Sequence, residues 1–212
     1  MLKHFINNNE FYLGSEKEMY WPEKKTLILS DLHLGKIKHF SANGIQIPKM
    51  ANTNNYWRLS KVLAEYDINR VLLLGDLFHS VYNSEWEVFI DFVANYSELE
   101  WILIKGNHDI LGTQEWKRAS LSVCDELEEN GIVFTHEPLE VKSEYFNVYG
   151  HIHPAVRLKG MALQSLKLPC FYFSKNVGIL PAFGEFTGTH VIKPKQGDSV
   201  YALGEGELIK IR

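Results

Sequence analysis

Five short polar clusters punctuate the 212 residues: Asp31-Leu32-His33, Gly75-Asp76, Gly106-Asn107-His108-Asp109, His136 and Gly150-His151-Ile152-His153. Together they offer imidazole nitrogens, carboxylates and an amide oxygen, a donor set of intermediate hardness that accepts manganese, iron or zinc. Two divalent ions held about 3.5–4 Å apart can clamp both the attacking and the leaving oxygen of a phosphoryl group, and coordination brings the pKa of water near neutrality. Such a pair needs a carboxylate that touches both ions, and open positions for water and substrate. Any one cluster alone reads as a polar turn or a hydrogen-bonded strand-end histidine. Their number and order point to one dinuclear hydrolytic centre.

Elements of the right kind precede each cluster. Apolar runs of strand length cover residues 26–30, 71–74, 101–105, 132–135 and 147–149, rich in Val, Ile and Leu as strands buried on both faces tend to be. The segment 51–66 between the first two reads as a helix, with Trp57, Val62, Leu63 and Tyr66 near helical spacing. A second helix is expected over 84–97, with Trp86, Phe89, Ile90 and Val93 on one face. Ser84 would be its N-cap, with Glu87 completing a capping box. Trp57, Trp86 and Phe89 read as core. Strand–helix–strand–helix–strand implies a largely parallel sheet, and ligands at the carboxyl ends of such strands converge on one crevice. Alternation along an extended segment would point Asp31 and His33 the same way, and likewise His151 and His153. Beyond Gly150, short strands at 170–173, 177–180, 190–192, 199–203 and 207–211, separated by turn signals, imply a second, mainly antiparallel sheet packed on the first.

Composition bounds the function. Hydrophobic residues make up 45% of the chain, enough for a substantial core, and without repeats or linkers the expectation is a single domain over 1–212. The formal net charge of −4 excludes a protein that tracks nucleic acid by overall charge, so an anionic substrate must be drawn by a local field such as bound ions. Cys124 and Cys170 match no zinc spacing and read as buried thiols of a reducing compartment. Residues 1–14 do not look like a signal peptide, and no run approaches roughly 18 apolar residues. A soluble cytoplasmic protein without membrane contact is expected.

The succession D-x-H, G-D, G-N-H-[DE], H and G-H-x-H resembles the calcineurin-like metallophosphoesterase superfamily, with all five blocks in order from Asp31 to His153. The resemblance implies an α/β fold, a four-layer α/β/β/α sandwich of two packed mixed sheets flanked by helices, with two divalent ions at the sheet ends. It implies that Asp31, His33, Asp76 and His153 hold the first ion. Asp76, Asn107, His136 and His151 would hold the second, with Asp76 bridging. His108 would serve the leaving oxygen, oriented by Asp109.

Further segments, Asp31-Leu-His-Leu-Gly-Lys36, Gly44-Ile-Gln-Ile-Pro48, Gly75-Asp-Leu-Phe-His79 and Pro181-Ala-Phe-Gly-Glu-Phe-Thr-Gly188, resemble the bacterial ligase-associated DNA damage response endonuclease family, PdeM. That resemblance implies a manganese-dependent phosphodiesterase or nuclease acting on DNA, with DNA-repair ligase, helicase or exonuclease partners. Lys36 and His39 after the first block, His79 where the superfamily often has a carboxylate, and Arg157 are the candidate substrate contacts. Two alternatives stand beside this reading. A small-molecule phosphodiesterase or pyrophosphatase shares the fold, but the lipid A precursor hydrolases among these usually carry a long apolar helical insertion not seen here. A scaffold on the same fold would have lost the site histidines that this chain retains.

Overall fold

The structure is a computed structural model and describes residues 1–35, 50–79, 82–140, 145–160, 165–185 and 187–212, with the backbone alone for 50–53. The first sheet has seven strands in chain order: β1 (Leu2–Ile6), β2 (Asn9–Leu13), β3 (Met19–Trp21), β4 (Thr26–Leu29), β5 (Arg70–Leu74), β6 (Glu100–Ile104) and β7 (Leu121–Cys124). β1 to β4 pair antiparallel, and β4 to β7 pair parallel. The helices α1 (Met50–Glu65), α2 (Ser84–Ala94) and α3 (Thr113–Arg118) form the crossovers of this parallel half.

The second sheet gathers β8 (Leu127–Glu129), β9 (Ile132–Phe134), β10 (Phe146–Tyr149), β11 (Pro154–Lys159), β12 (Ser165–Phe173), β13 (Val177–Ile179), β14 (His190–Val191), β15 (Ser199–Gly204) and β16 (Glu207–Lys210). It is mixed. β10 runs parallel to both β9 and β13, while β12 runs antiparallel to β11, β13 and β15. The strands expected at 132–135 and 147–149 therefore belong to this sheet and not to the first. A strand buried on both faces has the same apolar run in either sheet, so its composition cannot say which one it joins.

Alternation along the strands divides the core. On β5, Leu72 and Leu74 face the second sheet, where they meet Phe134, Val148 and Phe171. Val71 and Leu73 face the helices, where they meet Leu59, Val62, Trp86, Phe89 and Trp116. Both faces of the parallel strands are thus dry, as a parallel sheet requires. The two packed mixed sheets are those expected, with helices on the outer face of the first. Among the described residues no helix covers the second sheet's outer face, where Val156, Cys170, Val200 and Ala202 cluster.

Two expectations for the helices change. Trp57 is 61% exposed. The buried stripe of α1 is Leu59, Val62 and Leu63, and two residues at 100° each put Trp57 roughly 160° away from Leu59. The N-cap of α2 is Asn83, whose side chain accepts from the Glu85 amide at 2.8 Å. Glu87 is therefore free of the capping box and pairs with Arg118 at 2.8 Å. Asparagine at an extended position caps as well as serine does. Both cysteines are free thiols, and among the described residues no helix is long and apolar enough to cross a membrane.

Candidate functional site

All five polar clusters lie just past strand ends. Asp31 and His33 follow β4, Asp76 follows β5, Asn107 to Asp109 follow β6, His136 follows β9, and His151 and His153 follow β10. Three strands of one sheet and two of the other thus deliver their carboxyl ends to one edge. The side chains converge by a route other than strand alternation. Asp31, His33, Asp76, His151 and His153 all have positive φ, between 48° and 62°. This left-handed backbone costs about 1–2 kcal/mol for a residue with a Cβ. Cross-loop hydrogen bonds hold it in place: Asp31 N to Gly75 O at 3.2 Å, His33 N to Asp76 O at 2.9 Å, and Leu34 N to Leu77 O at 2.9 Å.

The donor atoms form two groups, Asp31, His33 and His153 in one and Asp76, His136 and His151 in the other, each with its ligand atoms within 4.8 Å of one another. In the first, His153 Nε2 lies 3.1 Å from Asp31 Oδ1 and 3.2 Å from His33 Nε2. His153 Nδ1 lies 2.9 Å from the Gly188 carbonyl. A carbonyl can only accept, so Nδ1 carries the proton and Nε2 presents its lone pair to the group. The second group repeats the device. His136 Nδ1 donates to Leu74 O at 2.9 Å, and its Nε2 faces Asn107 Oδ1 at 3.1 Å and His151 Nδ1 at 3.2 Å. Histidines fixed this way by their far nitrogen are pre-oriented for a cation.

Asp76 stands between the groups. Its Oδ1 is 3.4 Å from His136 Nε2 and its Oδ2 is 3.8 Å from His33 Nε2. It is buried, and its Oδ1 also accepts from the His108 amide at 3.0 Å. The glycine before it has φ +75°, and a Cβ there would lie 2.2 Å from His136 Nδ1. The backbone must be bare at Gly75 for the His136 ring to sit over it.

The His108 ring lies against His79, tilted by 39° with centroids 3.8 Å apart, and His33 lies edge-on to both, at 6.1 and 5.2 Å. His79 is therefore part of the site. Asp109 does not orient the His108 ring. Its buried carboxylate accepts from Phe78 N at 3.1 Å and Gly106 N at 2.9 Å, which locks the loop after β5 to the loop after β6. Burial pushes this carboxyl up to about 6, while the two amide hydrogen bonds pull the other way.

The segment after β13 braces the first group from behind. Phe183 N donates to Ser30 O at 2.8 Å and Gly184 N to Asp31 O at 3.0 Å. The buried Arg58 of α1 donates to Phe183 O at 2.8 Å, to Glu16 Oε2 at 2.8 Å and to Glu16 O at 2.7 Å. The Ser30 hydroxyl donates to Asp31 Oδ2, which also accepts from His151 N at 3.0 Å. Sequence patterns missed Arg58, Glu16 and Ser30. Ser30 had a signal in its place beside Asp31, whereas Arg58 and Glu16 carry none, since their pairing spans 42 residues. Arg157 is not brought to the site. It is exposed on β11, 3.5 Å from Ser165 Oγ, four residues and about 13 Å of strand beyond His153. Lys36 and His39 lie outside the described residues.

Comparison with known proteins agrees with this geometry. The family profile described as calcineurin-like phosphoesterase matches residues 24–183. The chain is similar to the Pseudomonas putida nuclease MPE, at 28% identity over 99% of each chain with a TM-score of 0.83. A protein of unknown function, AQ665 from Aquifex aeolicus, aligns at 20% identity over 60% of this chain and 78% of that one, with a TM-score of 0.41. No curated protein matches. A profile match over three quarters of the chain, on a fold of two packed mixed sheets with two groups of metal-ligating side chains at their shared edge, places the chain in the calcineurin-like phosphoesterase family.

Proposed function

We propose that the chain is a two-metal phosphodiesterase that cleaves DNA. The observation that carries this reading is Asp76, whose two carboxylate oxygens each face a histidine of a different group. One buried carboxylate shared by two mixed nitrogen and oxygen donor sets fits a pair of divalent ions. Several acceptor atoms converge there with no Lys or Arg among them in the described residues, an arrangement favoured by a cation. In this reading Asp31, His33, Asp76 and His153 hold one ion, and Asp76, Asn107, His136 and His151 hold the other. Manganese is the proposed metal, with iron or zinc accepted by the same donors.

When bound, the two ions supply Lewis-acid polarisation of the phosphoryl group and activation of water. The chain's own residues do the rest. Asp76 and Asp31 fix the spacing of the donor sets from buried positions. His153 and His136, their protons committed to the Gly188 and Leu74 carbonyls, cannot turn away. His108, half-buried and outside both groups, is placed to donate a proton or hydrogen bond to the leaving oxygen, with the His79 ring packed against it. Asp109 positions the loop that carries His108. A nucleic-acid substrate is supported by the likeness to a nuclease over nearly the whole chain.

The test is a panel of labelled DNA strands and ends, RNA and soluble nucleotide phosphodiesters, each assayed with manganese and with manganese plus chelator. Chelator-sensitive cleavage of DNA is expected. Preference for a soluble nucleotide over every DNA substrate would move the reading to a small-molecule phosphodiesterase, and no bound metal with no hydrolysis at all would leave a scaffold.

A further inference from the structure

Two clefts open beside the site, and they differ in charge. Beside Asn107 and His136, a cleft of about 430 Å³ is rimmed, among the described residues, by Asp125, Glu126 and Glu137 against one cation, Lys105. Beside His153, a cleft of about 330 Å³ holds Lys17 and Glu185 and has an apolar wall of Pro154, Pro169 and Ala182. A polyanion is repelled by the first and admitted by the second.

Lys17 is an unusual residue for its place. It sits in the tight turn between β2 and β3, which Gly14 N closes on Glu18 O at 2.9 Å. Its φ of +77° is a left-handed value that glycine or asparagine would adopt more easily. Both neighbours are pinned. Glu16 is held by Arg58 and Lys61 at 2.8 Å each, and the buried Glu18 accepts from Tyr66 at 2.8 Å. Glu185, the one acid of the cleft among the described residues, is turned to α1 and accepts from the Asn54 amide. Among the described residues the Lys17 ammonium has no carboxylate within 4.0 Å. Burial draws it down to about 8, Arg58 adds to this, and Glu185 and Glu16 oppose it. A half-desolvated ammonium of this kind gains from an arriving anion.

We propose that this cleft is a nucleotide subsite, in which Lys17 binds the phosphate next to the scissile one and the wall of Pro154, Pro169 and Ala182 receives its sugar. The volume suits one such unit. The proposal rests on the phosphodiesterase reading and names the substrate class of that site: a chain with consecutive phosphates is preferred over an isolated diester. The phosphate can be internal to a strand or a terminal monoester, and both are bound by the same ammonium.

The experiment measures binding of a fluorescently labelled oligodeoxynucleotide, with and without a terminal phosphate, in chelator across a salt series. Cleavage of the same strand and of a chromogenic phosphodiester is then measured with manganese. Lys17→Met is expected to weaken oligonucleotide binding about tenfold, and to lower the salt slope of the binding constant by about 0.7, the value of one lost phosphate contact on a single strand. Its loss of cleavage on the oligonucleotide should exceed that on the chromogenic diester about tenfold. Lys17→Arg should restore binding. Lys17→Gly should bind as weakly as Lys17→Met while its melting temperature holds or rises, because the left-handed strain is relieved. A gain from the terminal phosphate that Lys17→Met abolishes assigns the subsite to an end, and equal loss on both strands assigns it to an internal phosphate. An unchanged salt slope, or equal losses on strand and chromogenic diester, overturns the proposal. Should the wild type cleave nothing, the phosphodiesterase reading falls, while binding in chelator still decides for or against the cleft.

Discussion

Gly75→Ala adds one methyl group beneath the second donor set. The new Cβ would stand 2.2 Å from His136 Nδ1, 2.4 Å from its Cγ and 2.7 Å from its Cβ. The ring cannot yield by pivoting, because the clashing Nδ1 is the atom that donates to the Leu74 carbonyl. It must move as a whole inside a buried pocket, or the chain at residue 75 must move. Moving that chain disturbs the Asp31 amide, which donates to Gly75 O, and so reaches the first donor set too. A left-handed alanine costs about 1–2 kcal/mol, overpacking about 1–3 and the lost hydrogen bond about 1, offset by about 0.5–1 from the stiffer unfolded chain. The net is a destabilisation of about 2–5 kcal/mol. For a chain of this size that lowers the melting temperature by about 5–20 °C. Denaturant unfolding and calorimetry read the stability, and elemental analysis of the purified protein reads bound metal, which should fall below the wild-type ratio. Gly112→Ala is the control, since a Cβ there meets nothing within 4 Å and costs only an N-cap preference of under about 1 kcal/mol. A Gly75→Ala variant that melts with the control and keeps its full metal content would refute the claim that a bare backbone at residue 75 is what lets His136 reach the site.

Two further substitutions and a control separate the parts of the site, and a fourth variant probes a histidine outside it. His108→Ala should lower turnover about 10²-fold or more with metal content nearly intact; loss of the metals in this variant would show a structural residue. Arg58→Met leaves the buried Phe183 carbonyl without its donor and should cost about 2 kcal/mol in urea unfolding. Lys61→Met, which removes an exposed partner of the same Glu16, should cost much less, because solvent screens the pair; equal losses would contradict the clamp. His4 is half-buried against Phe173 and Tyr201, and desolvation lowers its pKa to about 4. Its folded value lies below the unfolded one, so its contribution is complete above about pH 6.5 and fades as pH falls toward 4, by up to about 3 kcal/mol. His4→Phe should flatten that part of the stability profile relative to wild type, and parallel profiles would show that His4 is not the titrating group.

What the sequence shows and what it hides follow from the range of the interactions. β4, β5, β6, β9 and β10 were legible because strands buried on both faces are continuous apolar runs, and each is followed at once by its polar cluster. β7 was not, because three of its four residues are at least partly exposed at the sheet edge. The hairpin of β1 and β2 hides because neither strand is a continuous apolar run: β1 alternates half-buried with exposed positions, and β2 buried with half-buried ones. Trp57 shows the opposite failure: a large apolar residue near helical spacing need not be core, and the stripe of Leu59, Val62 and Leu63 decides the face. The Arg58, Glu16 and Phe183 clamp is set by contacts across 42 and 125 residues, which no local pattern records.

The backbone at the site carries a further argument. Five of the seven proposed ligands occupy left-handed positions, where glycine would be the easier choice but has no side chain to offer. Each therefore sets local conformational preference against the chemistry of the side chain. Strain of this kind persists only where the surroundings over-determine it, and here they do: the loop amides of residues 31, 33 and 34 are tied to carbonyls of residues 75 to 77, and those of 183 and 184 to carbonyls of 30 and 31. The two dry cores beneath the loops supply the stability against which this is drawn. Bracing of this kind limits the reorganisation that would oppose binding of a cation by the proposed ligands. It also follows that substitutions in the bracing segments, far from any ligand atom, act on the ligands through their φ angles.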